Sequence, residues 1–246
     1  MSFRPCALVP TYDNPRTVRS VVLAVRKHLP DVFVVDDGSG PDGRAACEAI
    51  ASEGLATVCH LERNRGKGAA VKQGFADAAE AGFTHAFQID ADGQHDLACM
   101  PEFLRAAAAQ PTALVLGYPI YDATAPRTRL AARRVTKFWV DLEVGRSDIV
   151  RDALIGCRIY PLDAAQRSGT RGNRMEFDVE IVVRMARTGM PIVNLPVHVR
   201  YLSHDEGGIS HFHPIADNVR LSLMHSRICA GLMTSWMLRP FRGVRR

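Results

Sequence analysis

CALVPTYDNPRTVRSVVLAVRKHLPDVFVVDDGS, residues 6–39, is the stretch from which the fold is read. An apolar run, Cys6–Val9, is followed by a helical pattern over Arg16–His28. A second apolar run, Val32–Val35, then ends in Asp36-Asp37-Gly38-Ser39. Short apolar runs separated by a helix mark a parallel βαβ unit. Runs without polar alternation belong to strands covered on both faces. The alternation continues outward, with strands predicted at Ala56–Leu61, His85–Ile89 and Leu114–Gly117. Helices are predicted at Pro41–Glu53, Lys67–Ala81 and Pro101–Gln110. The chain is therefore read as α/β, with a mostly parallel central sheet and helices on both faces. Ligands of such sheets bind beyond the carboxyl ends of the strands, where strand order reverses. Chemistry is expected just after the first, second and fourth strands.

Beyond residue 120 the pattern is less regular. Arg127–Glu143 reads as a basic helix, Ile155–Tyr160 as a strand, Glu176–Thr188 as a helix and Ile192–Tyr201 as a strand with prolines at or near its edges. Ile215–Met237 reads as a Leu- and Met-rich helix. No repeat or linker divides the chain, so residues 1–246 are expected to form a single domain. Its parts are a ligand-binding half (1–120), a second half (121–213) and a C-terminal helix with a basic tail (214–246). An apolar share of 47% in 246 residues provides for a sizeable core, and a net charge of +5 suits phosphate-rich small molecules, anionic lipid or nucleic acid. The six cysteines include no Cys-x-x-Cys pair, which argues against a zinc ribbon or redox motif. There is no signal-like N-terminus and no run of the roughly 18 apolar residues that a spanning helix needs. Reduced thiols and a cytoplasmic location are expected.

Four segments carry the chemistry. Pro10-Thr11-Tyr12 follows the first strand and offers a ring and hydroxyls. Asp36-Asp37-Gly38-Ser39 follows the second, where carboxylates can accept from a base amide or ribose hydroxyls. An ordinary Asp-Gly turn is the competing explanation. Asn64-Arg65-Gly66-Lys67-Gly68 leads from the third strand into a helix, and a glycine-rich turn with cations at a helix N-terminus suits phosphate. It is neither a Walker A loop nor a full dinucleotide fingerprint. Asp90-Ala91-Asp92-Gly93-Gln94-His95 follows the fourth strand. Two carboxylates one residue apart, with Gln94 as a further oxygen donor, can converge on Mg²⁺ or Mn²⁺ and leave positions open for diphosphate oxygens.

In this order the segments Val9-Pro-Thr-Tyr12, Val34-Val-Asp-Asp-Gly-Ser39, Asn64-Arg-Gly-Lys-Gly68 and Asp90-Ala-Asp-Gly-Gln-His95 resemble the signature series of family 2 glycosyltransferases. The branch most resembled includes the dolichyl- and polyprenyl-phosphate sugar synthases, and the likeness spans roughly residues 5–200. It implies the GT-A fold, a Rossmann-like sheet, a nucleotide-diphosphate sugar donor, a divalent metal (Mg²⁺ or Mn²⁺) and inversion at the anomeric carbon. By that resemblance Pro10, Tyr12, Asp36 and Asp37 would hold the nucleoside. Lys67 would approach the nucleotide or its phosphates, and Asp90, Asp92 and Gln94 would address metal and diphosphate. Gly93 and Asp96 stand where many relatives carry Leu and Pro.

Transfer to a hydroxyl needs a general base. Arg174-Met-Glu-Phe-Asp-Val-Glu180 supplies three carboxylates, and the family-like Phe-Asp-x-Glu pattern makes Asp178 the first candidate and Glu180 the second. Carboxylates favoured by the helix dipole are the plain alternative. A lipid phosphate acceptor needs no strong base but does need cations. Arg127, Arg129, Arg133, Arg134 and Arg158 are available, and Arg158 in Gly156-Cys-Arg-Ile-Tyr160 matches a segment of this branch. Gly208-Ile-Ser-His-Phe-His213 and Asp217-Asn-Val-Arg220 resemble glycosyltransferases beside aryl-polyene pigment-lipid pathways, which favours a lipid-linked or aromatic acceptor. His211 and His213 are expected to be structural. The C-terminal helix is expected to pack on the core over its first turns. Trp236–Arg246, with Arg239, Arg242, Arg245 and Arg246, would then contact a membrane surface peripherally.

Three other classes fit less well. A sugar-1-phosphate nucleotidyltransferase would be expected to carry a glycine-rich loop after the first strand, and Pro10–Pro15 contains no glycine. A non-catalytic nucleotide-sugar-binding protein would not need Asp90, Asp92 and Asp178 together. Nucleic acid is excluded as a partner because the arginines lack interleaved aromatic platforms.

Overall fold

The computed structural model describes residues 3–121, 127–200 and 213–237. In chain order the elements are β1 (Pro5–Thr11), α1 (Val18–Arg26), β2 (Val32–Asp36), α2 (Pro41–Ser52), β3 (Thr57–His60), α3 (Lys67–Glu80), β4 (His85–Gln88), α4 (Met100–Ala109), β5 (Leu114–Tyr121), α5 (Arg127–Val144), β6 (Arg158–Pro161), α6 (Leu162–Arg167), α7 (Glu176–Arg187), β7 (Ile192–Val199) and α8 (Pro214–Met237). The strands form a seven-stranded sheet in the order β3-β2-β1-β4-β6-β5-β7. All neighbours run parallel except β6, which is antiparallel to both β4 and β5. The α/β class and mostly parallel sheet stand as read from the sequence.

Both faces of the sheet are buried. Cys6 and Leu8 of β1 join Phe33 and Val35 of β2 on one side, packed against Phe75 of α3 and Phe177 of α7. Ala7 and Val9, with Val32 and Val34, face the other side against α1, α2 and α4. This period of two, apolar on both sides, explains the unbroken runs in the sequence. Each fully buried Phe or Leu contributes about 1.5–3 kcal/mol of hydrophobic stabilisation.

Three local readings need correction. The strand predicted at Ile155–Tyr160 begins only at Arg158, because the carbonyl of Ile155 turns inward to accept from the Arg158 guanidinium. The short helix α6 was not predicted; its six residues are too few to show a helical period. β5 runs on to Tyr121, four residues past the apolar run, because β7 pairs with it along its whole length. β7 is the last strand of the sheet, its outer side carrying an isolated bridge from Val199 to His95, and that edge position is what admits Pro196 within a strand.

Strand order reverses at β1: β2 follows on one side and β4 lies on the other. The C-terminal ends of β1, β2 and β4 therefore open on one crevice, where the segments singled out in the sequence are found.

Candidate active site

A cavity of about 490 Å³ lies over these strand ends. Pro10, Thr11 and Tyr12 form its wall after β1, Asp37 after β2, Gly66 and Lys67 at the start of α3, and Asp90, Asp92 and Gln94 after β4. Asp178 of α7 closes the floor, and the far wall carries Arg133 of α5, Arg174, and His213, Asp217 and Leu221 at the start of α8.

The adjacent aspartates of the second turn divide their work. Asp37 faces the cavity, and its two carboxylate oxygens accept from the backbone N–H groups of Arg65 (2.8 Å) and Gly66 (2.7 Å). It thereby ties the end of β2 to the loop that starts α3. Burial pushes its carboxyl above the usual carboxylate range, opposed by those two N–H groups and by Arg174. Asp36 turns away and is 1% exposed. One oxygen accepts from the N–H of Ser39 at 2.9 Å and the other meets Nδ1 of His60 at 2.8 Å. It builds the turn and does not reach the cavity, which corrects its placement in the nucleoside site. Gly66 has φ +100°, and a Cβ there would come within 2.4 Å of the Asn173 carbonyl oxygen, so the loop requires glycine.

Lys67 lies between two carboxylates. Its Nζ is 2.8 Å from Asp90 and 2.8 Å from Asp178. Burial alone would lower its pKa, but Asp178 and Asp90 outweigh it and the ammonium is held charged. Asp90 is likewise disfavoured by burial, yet Lys67 and then His95 bring it below its ordinary value. Asp92 is raised by burial despite His95 nearby, and one of its oxygens accepts from the N–H of Gln94 at 3.0 Å. Nδ1 of His95 is buried with no hydrogen-bond partner among the described residues.

Beneath Asp178 lies the buried side chain of Arg158, 0% exposed. It donates to the carbonyls of Ile155 (2.9 Å) and Asp178 (2.9 Å) and to the Tyr160 hydroxyl (3.1 Å), with one nitrogen 3.7 Å from the Asp178 carboxylate. Tyr160 in turn donates to Gln88, whose amide points to Asp90 at 3.5 Å. Two cations, two carboxylates, an amide and a phenol thus form a ring at the cavity floor: Lys67, Asp90, Gln88, Tyr160, Arg158 and Asp178. Burial would lower the Arg158 pKa, but Tyr160 and Asp178 together raise it. Arg158 is absent from the cavity wall. Its assignment to an acceptor phosphate is corrected: its guanidinium is enclosed by protein carbonyls.

Glu180, the second candidate base, is also corrected. It is 0% exposed and is not part of the cavity wall. It accepts from the N–H groups of Gly172 (2.7 Å) and Arg171 (3.2 Å) and from Arg184 (2.8 Å), which fixes the loop before α7. Glu176 does similar work by accepting from Asn173 and Arg174. Only Asp178 of the three carboxylates reaches the cavity.

Arg174 was quoted in the sequence without a role, yet it lines the cavity and bonds to Asn64 at 3.2 Å. Its position just before a carboxylate-rich helix was the available signal. Arg133 also lines the cavity and is paired with Asp152. His213 stands at its edge, its backbone N–H donating to Asp217 at 2.8 Å. The side chains of Arg127 and Arg129, and residues 201–212 with His211, lie outside the described residues.

Among the described residues no three metal-binding side chains converge. Asp90 and Asp92 supply two hard oxygen donors on the cavity wall. That donor set fits a Mg²⁺ or Mn²⁺ ion whose remaining positions are filled by diphosphate oxygens and water.

Comparison with known proteins places this geometry. The model of Glycosyl transferase family 2 matches residues 6–167. An undecaprenyl-phosphate mannosyltransferase of Micrococcus luteus is 27% identical over 205 residues, covering 79% of this chain and 82% of the relative. A polyprenol monophosphomannose synthase of Mycolicibacterium smegmatis is 25% identical, covering 79% and 76% respectively. Among solved structures, glucosyl-3-phosphoglycerate synthase of Mycobacterium tuberculosis in complex with Mn²⁺ and uridine-diphosphate-glucose superposes with a TM-score of 0.65 at 19% identity, covering 95% of this chain and 79% of that one. That likeness shows a shared fold.

Proposed function

The chain belongs to glycosyl transferase family 2, and on that premise we propose that it is an inverting, divalent-metal-dependent enzyme that moves a sugar from a nucleotide diphosphate onto a polyprenyl-phosphate-like lipid acceptor. That it is a glycosyltransferase using a nucleotide-sugar donor follows from the family and the mannosyltransferase relatives. The single observation that carries the finer reading is that Asp90, Asp92, Asp37 and Tyr12, distant in sequence, line one cavity with Lys67 and Asp178.

In this reading the nucleoside lies along Pro10, Tyr12 and Asp37, and the diphosphate approaches Asp90, Asp92, Gln94 and Lys67. A metal bound by the aspartates would neutralise charge on the departing diphosphate. Lys67 supplies a cation on the same side. The acceptor enters from the wall formed by α5 and α8. The new bond joins an acceptor oxygen to the anomeric carbon as the bond from that carbon to the diphosphate breaks. A phosphate acceptor is already ionised, so no proton has to be removed. Arg133 and Arg174 are the cavity-lining cations suited to it. The names of the two curated relatives support that acceptor class. Were the acceptor a hydroxyl, Asp178, which reaches the cavity beside Lys67, would be the base. The chemistry suits a protein held peripherally at the cytoplasmic face of a membrane. No described helix is long and apolar enough to cross one.

Titration calorimetry with UDP and GDP, with and without Mn²⁺, tests the donor site. Binding should strengthen with metal and should lose that gain in Asp92→Ala. A variant that keeps the full metal effect would remove Asp92 from the site.

A further inference from the structure

Two helices flank the acceptor side of the cavity, and each carries large apolar side chains into solvent. On α5, Val135, Phe138 and Leu142 recur at helical spacing, with Phe138 63% exposed. On α8, Ile215, Val219 and Leu223 do the same and Met233 extends the stripe, with Ile215 84% and Leu223 63% exposed. The two helices pack side by side: Trp139 stacks on His225, and His225 meets Glu143 at 2.8 Å. Both rest on α7 through their other faces, α5 through Val140 and α8 through Met224 and Ile228. Each apolar stripe lies opposite its helix's buried face, so both stripes open on the same side of the molecule.

Charge selects the occupant. α5 carries five basic and two acidic residues, net +3; α8 is net +1; and residues 238–246, which come next in the sequence and lie outside the described residues, add +4. Together these exceed the whole chain's +5, so the remainder is acidic. A second copy of the chain would set like-charged faces against each other. An anionic bilayer satisfies both components, apolar stripes entering the interface and arginines meeting headgroups.

We propose that the outward faces of α5 and α8 form one docking surface for an anionic lipid membrane, with the cavity opening beside it. This rests on the lipid-acceptor reading. It would set the wall carrying Arg133, His213 and Asp217 at the membrane surface, where a lipid phosphate could enter without leaving the interface.

Co-sedimentation with vesicles tests it, using phosphatidylcholine alone or mixed with phosphatidylglycerol. The wild-type protein should sediment with the mixed vesicles, less so at high salt. Phe138→Asp combined with Leu223→Asp should weaken that partitioning at least tenfold while leaving metal-dependent UDP or GDP affinity unchanged. Neither residue lines the cavity. Three results would overturn the proposal: no sedimentation of the wild type, equal sedimentation of the double variant, or a wild-type dimer in light scattering that the double variant splits. Vesicle binding that persists in a protein without nucleotide affinity would instead overturn the donor reading and leave the surface standing.

Discussion

Replacing Gly156 with alanine tests the cavity floor with a single methyl group. A Cβ at this position would lie 2.0 Å from a carboxylate oxygen of Asp90, where ordinary contact begins at 3.4 Å, so the carboxylate must retreat by roughly 1.4 Å. The backbone of Gly156 is outside the left-handed region, so alanine itself is not strained there. Nor can the carboxylate yield freely, since Lys67 holds it at 2.8 Å. A shift of this size breaks that contact and moves one of the two oxygen donors of the metal site. A hydrogen bond between charged groups is worth about 1.5–3 kcal/mol, which corresponds to about a 10- to 100-fold loss of donor affinity. Titration calorimetry with UDP or GDP and Mn²⁺ measures it, and the thermal midpoint serves as a control for folding. An unchanged affinity at an unchanged midpoint would refute the claim that Asp90 must stand where it does.

Arg158→Met should cost stability before it costs affinity. It strips the donors from the Ile155 and Asp178 carbonyls and leaves the Asp178 carboxylate with Lys67 as its remaining close cation, a loss of about 3–5 kcal/mol for breaking a buried charge pair. A urea midpoint matching the wild type would show that the ring beneath the cavity is not structural. His85 offers a pH test. It is buried in β4, its Nε2–H donating to the Pro111 carbonyl at 2.8 Å and its Nδ1 accepting from the Thr84 hydroxyl at 2.8 Å, and burial lowers its pKa despite that carbonyl. A folded-state pKa below the unfolded value of about 6.5 means the neutral ring's contribution is full above pH 6.5. It declines as pH falls from there toward the folded pKa. Urea midpoints at pH 7.5 and 5.5 should therefore differ less in His85→Gln than in the wild type, and equal differences would discount the assignment.

Much of the site was legible because its residues follow strands whose apolar runs are unmistakable. Tyr12, Asp37, Lys67, Asp90 and Asp92 stand at the ends of β1, β2 and β4 or at the start of α3. In a parallel sheet those ends converge without further information. Asp178 was legible from the Phe-Asp-x-Glu motif, which offered Glu180 as well; burial against Gly172 and Arg184 separates the two. The failures share a cause. Asp36 and Asp37 are equivalent as letters, but only the burial of Asp36 against Ser39 and His60 assigns it to the turn. Arg158, within a predicted strand, reads from the sequence as a cation free to meet an acceptor phosphate. It became a core residue because β6 is inserted antiparallel between β4 and β5, which places its side chain beneath α7.

The sequence by itself determined the α/β class, the order of the ligand-bearing turns and the identity of the paired aspartates. These depend on local periodicity and on residues adjacent in the chain. Tertiary structure alone decided that Lys67 bridges Asp90 and Asp178, that Glu180 supports a loop, and that the exposed stripes of α5 and α8 lie side by side. Those facts join residues that no local period relates, from Glu180 and Gly172 to Lys67 and Asp178. Which polar group is buried against which partner is fixed by the packing of whole elements, because an unpaired buried charge is too costly to keep.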